Sequence, residues 1–239
     1  MTFPMPFFDA LGLIGGNDSF TKVLLHMDGA DTSTTFTDVN VGGSSHTWTA
    51  NGNAQIDTAQ FKFGGASGLF DGSGDWISTP DSADFTIGSG DFTVDFWYRP
   101  AANGVRHYLT GQMASSGAVS VTSFAIQRTL SNVFSAFIGI GGSPTALTGT
   151  TTTTVGQWYH VALVRTGTTL KLFVNGTQEG GDGAASGTIN DVSATLSVGR
   201  SGEFTSDPAN GHIDEYRFSV GIARWTGNFT PPNAPYSTV

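Results

Sequence analysis

From Phe20 onward the chain is a series of short apolar-rich runs, each closed by Gly, Ser, Thr, Asn or Asp. The runs FTKVLLHM (20–27), DWIST (75–79), DFTVDFWYR (91–99), RHYLTGQ (106–112) and VTSFAIQR (121–128) read as strands. So do VFSAFIGI (133–140), QWYHVALVRT (157–166), TLKLFVN (169–175), ATLSVGR (194–200) and HIDEYRFS (212–219). Phe92, Val94, Phe96 and Tyr98 line one face of their run, whereas Val161 and Leu163 oppose Ala162 and Val164, leaving that run apolar on both faces. Strands of the second kind belong at the centre of two packed sheets with a further cover outside. RTGTTLKLFVNG reads as a hairpin with Gly167 in its turn, and Asn175-Gly176 closes the next one. Strict alternation through GHIDEYRFS puts Ile213, Glu215 and Arg217 on one face and Asp214, Tyr216 and Phe218 on the other. That alternation sets a carboxylate among aromatic rings.

Composition supports the same class. The 239 residues include 33 Gly, and only 12% of the chain is charged, which favours turns and strands over helices. No second domain is marked, so we expect one large all-β domain over 19–239. Residues 1–18 differ: Phe3, Phe7, Phe8, Leu11, Leu13 and Ile14 follow no strand period, and Pro4 and Pro6 discourage a helix. So many large apolar groups suit an extended arm that packs on this subunit or on another. TGTTTTTVGQ (148–157) reads as a loop. The net charge of −9 argues against a nucleic-acid partner, which needs clustered Lys and Arg. Cysteine is absent, which removes disulfides, thiolate metal sites and a cysteine nucleophile. The opening residues carry no basic stretch of the secretory kind, and no apolar run is long enough for membrane insertion.

Three segments stand out together: GLFDGSGDWISTPDSADFTIGSGDFTVDFWYRP (68–100), GQWYHVALVRTGTTLKLFVNGTQ (156–178) and GHIDEYRFSVGIARWTGNFTPP (211–232). In that order they resemble the concanavalin A-like lectin/glucanase superfamily in its laminin-G-like branch. The resemblance implies a two-sheet antiparallel jelly-roll sandwich, a fold shared by glycan-binding modules, glycosidases, adhesion domains and phage virion proteins. Fold alone does not choose among these.

Relatives of this fold often carry calcium between the first strand and the strand matching IDEYRF. Here that implies a structural Ca2+ held by Asp28 and Asp214 with backbone carbonyls, a donor set suited to a hard cation. The alternative for Asp214 is hydrogen bonding from backbone N–H groups or from Arg224. Glu215 and Arg217, two apart on one strand face, are expected in surface or cross-strand ion pairs. Glycoside hydrolysis needs two carboxyls facing across a cleft. Asp91 with Asp95 lacks a Glu, and Asp214 with Glu215 points to opposite faces, so no catalytic residue is assigned. The five histidines show no metal-ligand spacing, and no G-x-S-x-G elbow is present. Trp48 and Trp225 lie in loop-like surroundings and are the candidate glycan platforms, whereas Trp97 and Trp158 sit inside the family's core motifs.

The closing phrase IDEYRFSVGIARWTGNFTPP is similar to the form this domain takes in phage-encoded proteins. The resemblance therefore implies a non-catalytic structural or interaction protein of a bacteriophage virion, as capsid decoration or a tail or fibre component, assembled in the host cytoplasm. Its partners would be other virion proteins or copies of itself, engaged through Phe3, Phe7, Phe8 and Leu11 of the arm. The alternative is a carbohydrate-binding module for adsorption to host-surface glycan.

Overall fold

Each run read as a strand forms one. The computed structural model of the chain describes residues 16–115 and 118–237. In chain order the strands are β1 (Thr21–Leu25), β2 (Thr49–Asn51), β3 (Gln55–Asp57), β4 (Ser67–Asp71), β5 (Trp76–Thr79), β6 (Phe92–Pro100), β7 (His107–Met113) and β8 (Thr122–Arg128). They continue as β9 (Phe134–Ile140), β10 (Ser143–Thr148), β11 (Tyr159–Thr166), β12 (Thr169–Val174), β13 (Thr177–Ala184), β14 (Leu196–Val198) and β15 (Asn210–Val220). The helical content of the described residues is two 3-10 turns, Ala83–Phe85 and Val119–Val121. An eight-stranded sheet runs β13-β12-β11-β6-β15-β4-β3, with β1 also paired to β15; a seven-stranded sheet runs β10-β9-β8-β7-β14-β5-β2. Every strand pair is antiparallel.

The sheets meet over one core. Phe92, Val94, Phe96 and Tyr98 of β6 and Val161 and Leu163 of β11 face Leu109, Phe124, Ile126 and Ile138 of the seven-stranded sheet. Phe92, Phe96, Val161, Leu163, Leu172 and Phe218 are all buried. Each large apolar side chain removed from water in this way contributes roughly 1.5–3 kcal/mol. The strands that sequence patterning did not reveal are β2, β3, β4, β10 and β13. β13 reads TQEGGDGA and β10 is largely exposed, so neither carries an apolar alternation.

The second apolar face of β11 is also covered. Ala162 and Val164 pack with Phe173 and Trp225, and with Ala223 and Phe229, from the segment that follows β15. This C-terminal strap lies on the outer face of the eight-stranded sheet. Asn175 and Gly176 both have positive φ, as a two-residue hairpin turn requires. Phe229 N–H donates to the Gly176 carbonyl at 2.9 Å, and a Cβ on Gly176 would fall 1.9 Å from the Phe229 oxygen, so glycine there also lets the strap approach.

Strict alternation fails in β15. Asp214 pairs with Trp97, and the next register partner is Arg217 with Asp95, so two residues, Glu215 and Tyr216, stand against one. Glu215 takes φ +51, the signature of a bulge. Ile213, Tyr216 and Phe218 therefore all face the core, while Asp214 and Arg217 face outward beneath the cover. The carboxylate is not on the aromatic face after all: the bulge resolves the conflict by adding a residue.

Candidate functional site

Beneath the strap, Asp95 of β6 is fully buried and takes Arg217 from β15, with Nε at 3.0 Å from Oδ1 and Nη2 at 3.3 Å from Oδ2. The Tyr236 hydroxyl donates to Asp95 Oδ2, and the Arg217 guanidinium lies 3.8 Å from the Tyr236 ring centre. His160 Nε2 is 3.5 Å from Asp95 Oδ2. Burial pushes the Asp95 carboxyl up, but Arg217, His160 and Tyr236 outweigh it and hold the pKa at about 2. Glu215, also buried, receives the Tyr236 N–H at 2.9 Å and faces His26 Nδ1 at 2.7 Å. Burial opposes protonation of His26, yet Glu215 prevails and raises its pKa. Arg217 thus makes the cross-strand ion pair expected, with Asp95 of the neighbouring strand, but neither it nor Glu215 lies on the surface: both are buried, and each also meets Tyr236 of the strap. Asp95, Asp214 and Glu215 are all enclosed, so the carboxylate pairs that glycoside hydrolysis would call on do not open on a cleft.

Asp214 sits apart from that pair. Its Oδ2 accepts the backbone N–H groups of Lys62 at 2.7 Å and Phe63 at 3.0 Å, while Oδ1 is buried without a hydrogen-bond partner. Arg224, the other donor considered for it, instead grips Asp18 at 2.9 Å. Burial drives the Asp214 pKa upward; the two N–H donors oppose this, Glu215 and Asp28 add to it, and the result is about 8. Asp28 is exposed and meets the same loop: a Cβ on Gly64 would fall 2.1 Å from its Oδ1. Loop 58–66 therefore touches both carboxylates that the sequence pairs. Among the described residues no group of three or more His, Asp or Glu side chains is arranged to hold a metal. A cation here would draw on two carboxylates, with backbone oxygens and water completing its shell, which suits calcium and not a transition metal.

Trp48 and Trp225 do not serve as open platforms. Trp48 is 6% exposed and belongs to the main core, and Trp225 is 4% exposed, stacked on Phe229 with ring centres 4.0 Å apart. Both look loop-like in sequence because the segments that carry them are irregular; tertiary packing turns their indoles inward. Phe3, Phe7, Phe8 and Leu11 lie outside the described residues. The end of the proposed arm is described: Asn17 bonds Val39 and Val41, and Asp18 bonds Arg224.

Among the described residues, the outer face of the seven-stranded sheet is roofed only in part, by the loop after β14 over Ser197, Gly111 and Ala125. Trp76, half-buried on β5, stands opposite Asn51 of β2, and Ser78 stands between Thr49 and Ser197. Across the sheet, half-buried Phe137 and Phe204 pack on Tyr108, Met113 and Ala125. That loop lies over β7 and β14, placing Ser201 where a Cβ on Gly111 would meet its hydroxyl at 2.4 Å. The Arg200 guanidinium lies 3.7 Å above the Trp76 ring. Sequence reasoning missed Trp76, Phe137, Phe204 and Arg200; alternation against buried Ile77 was the signal that could have turned Trp76 outward. Elsewhere, a cavity of about 280 Å³ is lined by hydroxyl side chains of 44–47 and 79–82, with His46 wedged between Asp38 at 2.9 Å and Asp84 at 3.4 Å.

Several solved structures share this architecture. The binding domain of Paraclostridial Mosquitocidal Protein 1 superposes with a TM-score of 0.63 at 13% identity, covering 85% of this chain and 50% of its own. The binding domain of Botulinum Neurotoxin DC, in complex with SialylT, gives 0.60 at 14% identity, covering 87% and 50%. Domain 4 of AbnA, a GH43 extracellular arabinanase from Geobacillus stearothermophilus, in complex with arabinotriose, gives 0.55 at 18% identity, covering 85% and 93%. The chain thus spans about half the length of the two toxin domains and nearly all of the arabinanase domain. At these identities the likeness establishes fold. No curated protein matches by sequence. A family model does match residues 71–221, well over half of the chain and the stretch holding β5 to β15, and with the two-sheet antiparallel architecture it settles the assignment: this chain belongs to the concanavalin A-like lectin/glucanases superfamily.

Proposed function

We propose that the protein is a non-catalytic recognition module whose ligand is a glycan, bound on the outer face of the seven-stranded sheet. The observation that carries this is the contrast between the two outer faces. One is roofed by the strap and filled by buried ion pairs; the other presents half-buried Trp76, Phe137 and Phe204 beside a row of Ser, Thr and Asn side chains. Aromatic faces receive the C–H faces of sugars, and hydroxyl and amide groups satisfy sugar hydroxyls. Support comes from the AbnA domain, described with arabinotriose, and from the neurotoxin domain, described with SialylT. A glycan array probed with the full chain and with Trp76→Ala tests the reading. Binding lost while the variant remains folded supports it; equal binding by both moves the site elsewhere.

Calcium bound by Asp28 and Asp214 is the second element of the proposal, and the unpartnered Asp214 Oδ1 supports it. The ion would neutralise a buried carboxylate and pin loop 58–66 to β15. The setting we propose is the surface of a bacteriophage virion, on the strength of the resemblance carried by IDEYRFSVGIARWTGNFTPP. There Phe3, Phe7, Phe8 and Leu11 would dock the module on a neighbouring virion protein or on another copy. Deleting residues 1–15 should then abolish particle attachment without lowering the melting temperature.

A further inference from the structure

Five arginines are buried, and four of them are saturated by protein acceptors. Arg128 bonds Thr153, the Ala102 carbonyl and Asn103. Arg165 bonds three backbone carbonyls, Arg217 takes Asp95 and Arg224 takes Asp18. Arg200 is different. Only 8% exposed, it donates from Nε to the Gly202 carbonyl at 2.8 Å, and among the described residues its two terminal nitrogens meet no acceptor. The carbon at the centre of its guanidinium lies over the Trp76 ring, 3.7 Å from the ring centre, a separation at which the two planes are stacked. Glu203 is the acidic group whose charge it feels. The chain holds 19 Asp and Glu residues, and a partner could have been supplied from any of them.

A planar guanidinium held by its Nε and by an aromatic ring presents two parallel N–H donors at the spacing of a carboxylate. Stacking on the indole fixes the plane of that fork before a ligand arrives, and the partly desolvated setting strengthens each bond made. Asn51, Ser78 and Thr49 continue the face from Trp76 and offer polar groups to sugar hydroxyls. We propose that the Arg200–Trp76 stack is the subsite for the carboxylate of an acidic sugar, so that the module selects glycans bearing uronic or sialic acid residues over neutral ones. This rests on the glycan-binding reading above.

The test is an array carrying matched neutral, carboxylated and sulfated glycans, probed with the full chain. It is followed by titration with trigalacturonate and with the same trisaccharide after carboxyl reduction. Carboxylated probes should bind roughly 10- to 100-fold more tightly, as a charge-assisted bidentate contact implies. Arg200→Gln should bring the two trisaccharides to equal affinity. Arg200→Lys keeps the charge and an aliphatic stem on the indole but not the fork, so it should also lose most of the preference at unchanged melting temperature; it serves if the Gln variant misfolds. Equal binding of acidic and neutral glycans overturns the subsite while leaving the glycan reading intact. Preference for sulfated over carboxylated probes overturns the carboxylate assignment. Binding of no glycan overturns both.

Discussion

Replacing Asp214 by Asn probes the buried carboxylate that the bulge in β15 turns outward. In the wild type Oδ2 accepts two backbone N–H groups and Oδ1 has no partner, so burial, against the pull of those donors, lifts the pKa from 3.8 to about 8. A carboxyl with a folded pKa above its unfolded value binds its proton more tightly when folded. Its stabilising contribution is complete below pH 3.8 and is lost as pH rises through about 8. At ~1.36 kcal/mol per pH unit the full difference comes to about 6 kcal/mol. Asn keeps an acceptor for both N–H groups and cannot ionise. In chelator the wild type should therefore fall relative to Asp214→Asn by about 3–5 kcal/mol between pH 4 and pH 8, or roughly 10 °C in melting temperature for a domain of this size. Calorimetry of both proteins across that range reads the difference directly, and other titrating groups cancel between them. With calcium the wild type should regain stability near pH 8, because the ion replaces the proton, whereas the Asn variant should gain nothing. Parallel pH profiles in chelator would refute the reasoning: Asp214 would then be ionised in the fold, with some group meeting Oδ1.

Asp95→Ala should cost about 3–5 kcal/mol in denaturant unfolding, since it strands the buried Arg217 guanidinium; a loss under ~1 kcal/mol would show the pair to be dispensable. The depressed Asp95 pKa has the opposite sign from Asp214: its contribution stands above pH 3.8 and disappears as pH falls through about 2, which acid titration of the fold against Asp95→Asn will detect. Trp225→Ala should destabilise by about 3–5 kcal/mol by leaving a cavity under the strap, while Trp76→Ala, which removes the ring beneath Arg200, should cost less, about 1–2 kcal/mol, and leave the protein folded. Gly111→Ala should lower stability by about 1–3 kcal/mol, because its Cβ would meet the Ser201 hydroxyl at 2.4 Å and the Phe124 carbonyl at 2.6 Å; a neutral result would mean that the loop after β14 gives way freely.

The central strands were legible because burial on one or both faces leaves a period of two or an unbroken apolar run, as in DFTVDFWYR and YHVALVRT. The hairpin turns were legible because positive φ at Asn175 and Gly176 demands those residue types. Edge strands such as TQEGGDGA were not, since an exposed strand owes its conformation to a neighbour's hydrogen bonds and carries no apolar code.

The candidate site was less legible, for a related reason. Sequence singled out Asp28 and Asp214, and the fold places both against loop 58–66, but it could not tell which face Asp214 occupies: one bulged residue, Glu215, moves everything before it to the other side. Nor could local pattern decide which tryptophans meet water. Trp48 and Trp225 are buried by segments distant in sequence, and Trp76 is left half-open because the loop after β14 covers only part of its sheet face among the described residues. What the sequence by itself determined is the β class, the turns and the inward faces of the central strands, all properties of neighbouring residues. Which outer face is sealed, which carboxylate is paired and which arginine keeps free donors depend on contacts across the chain, such as Asp18 with Arg224 and Asp95 with Tyr236. Only the tertiary structure decides them, because desolvation and pairing are set by whatever three-dimensional packing brings to each group.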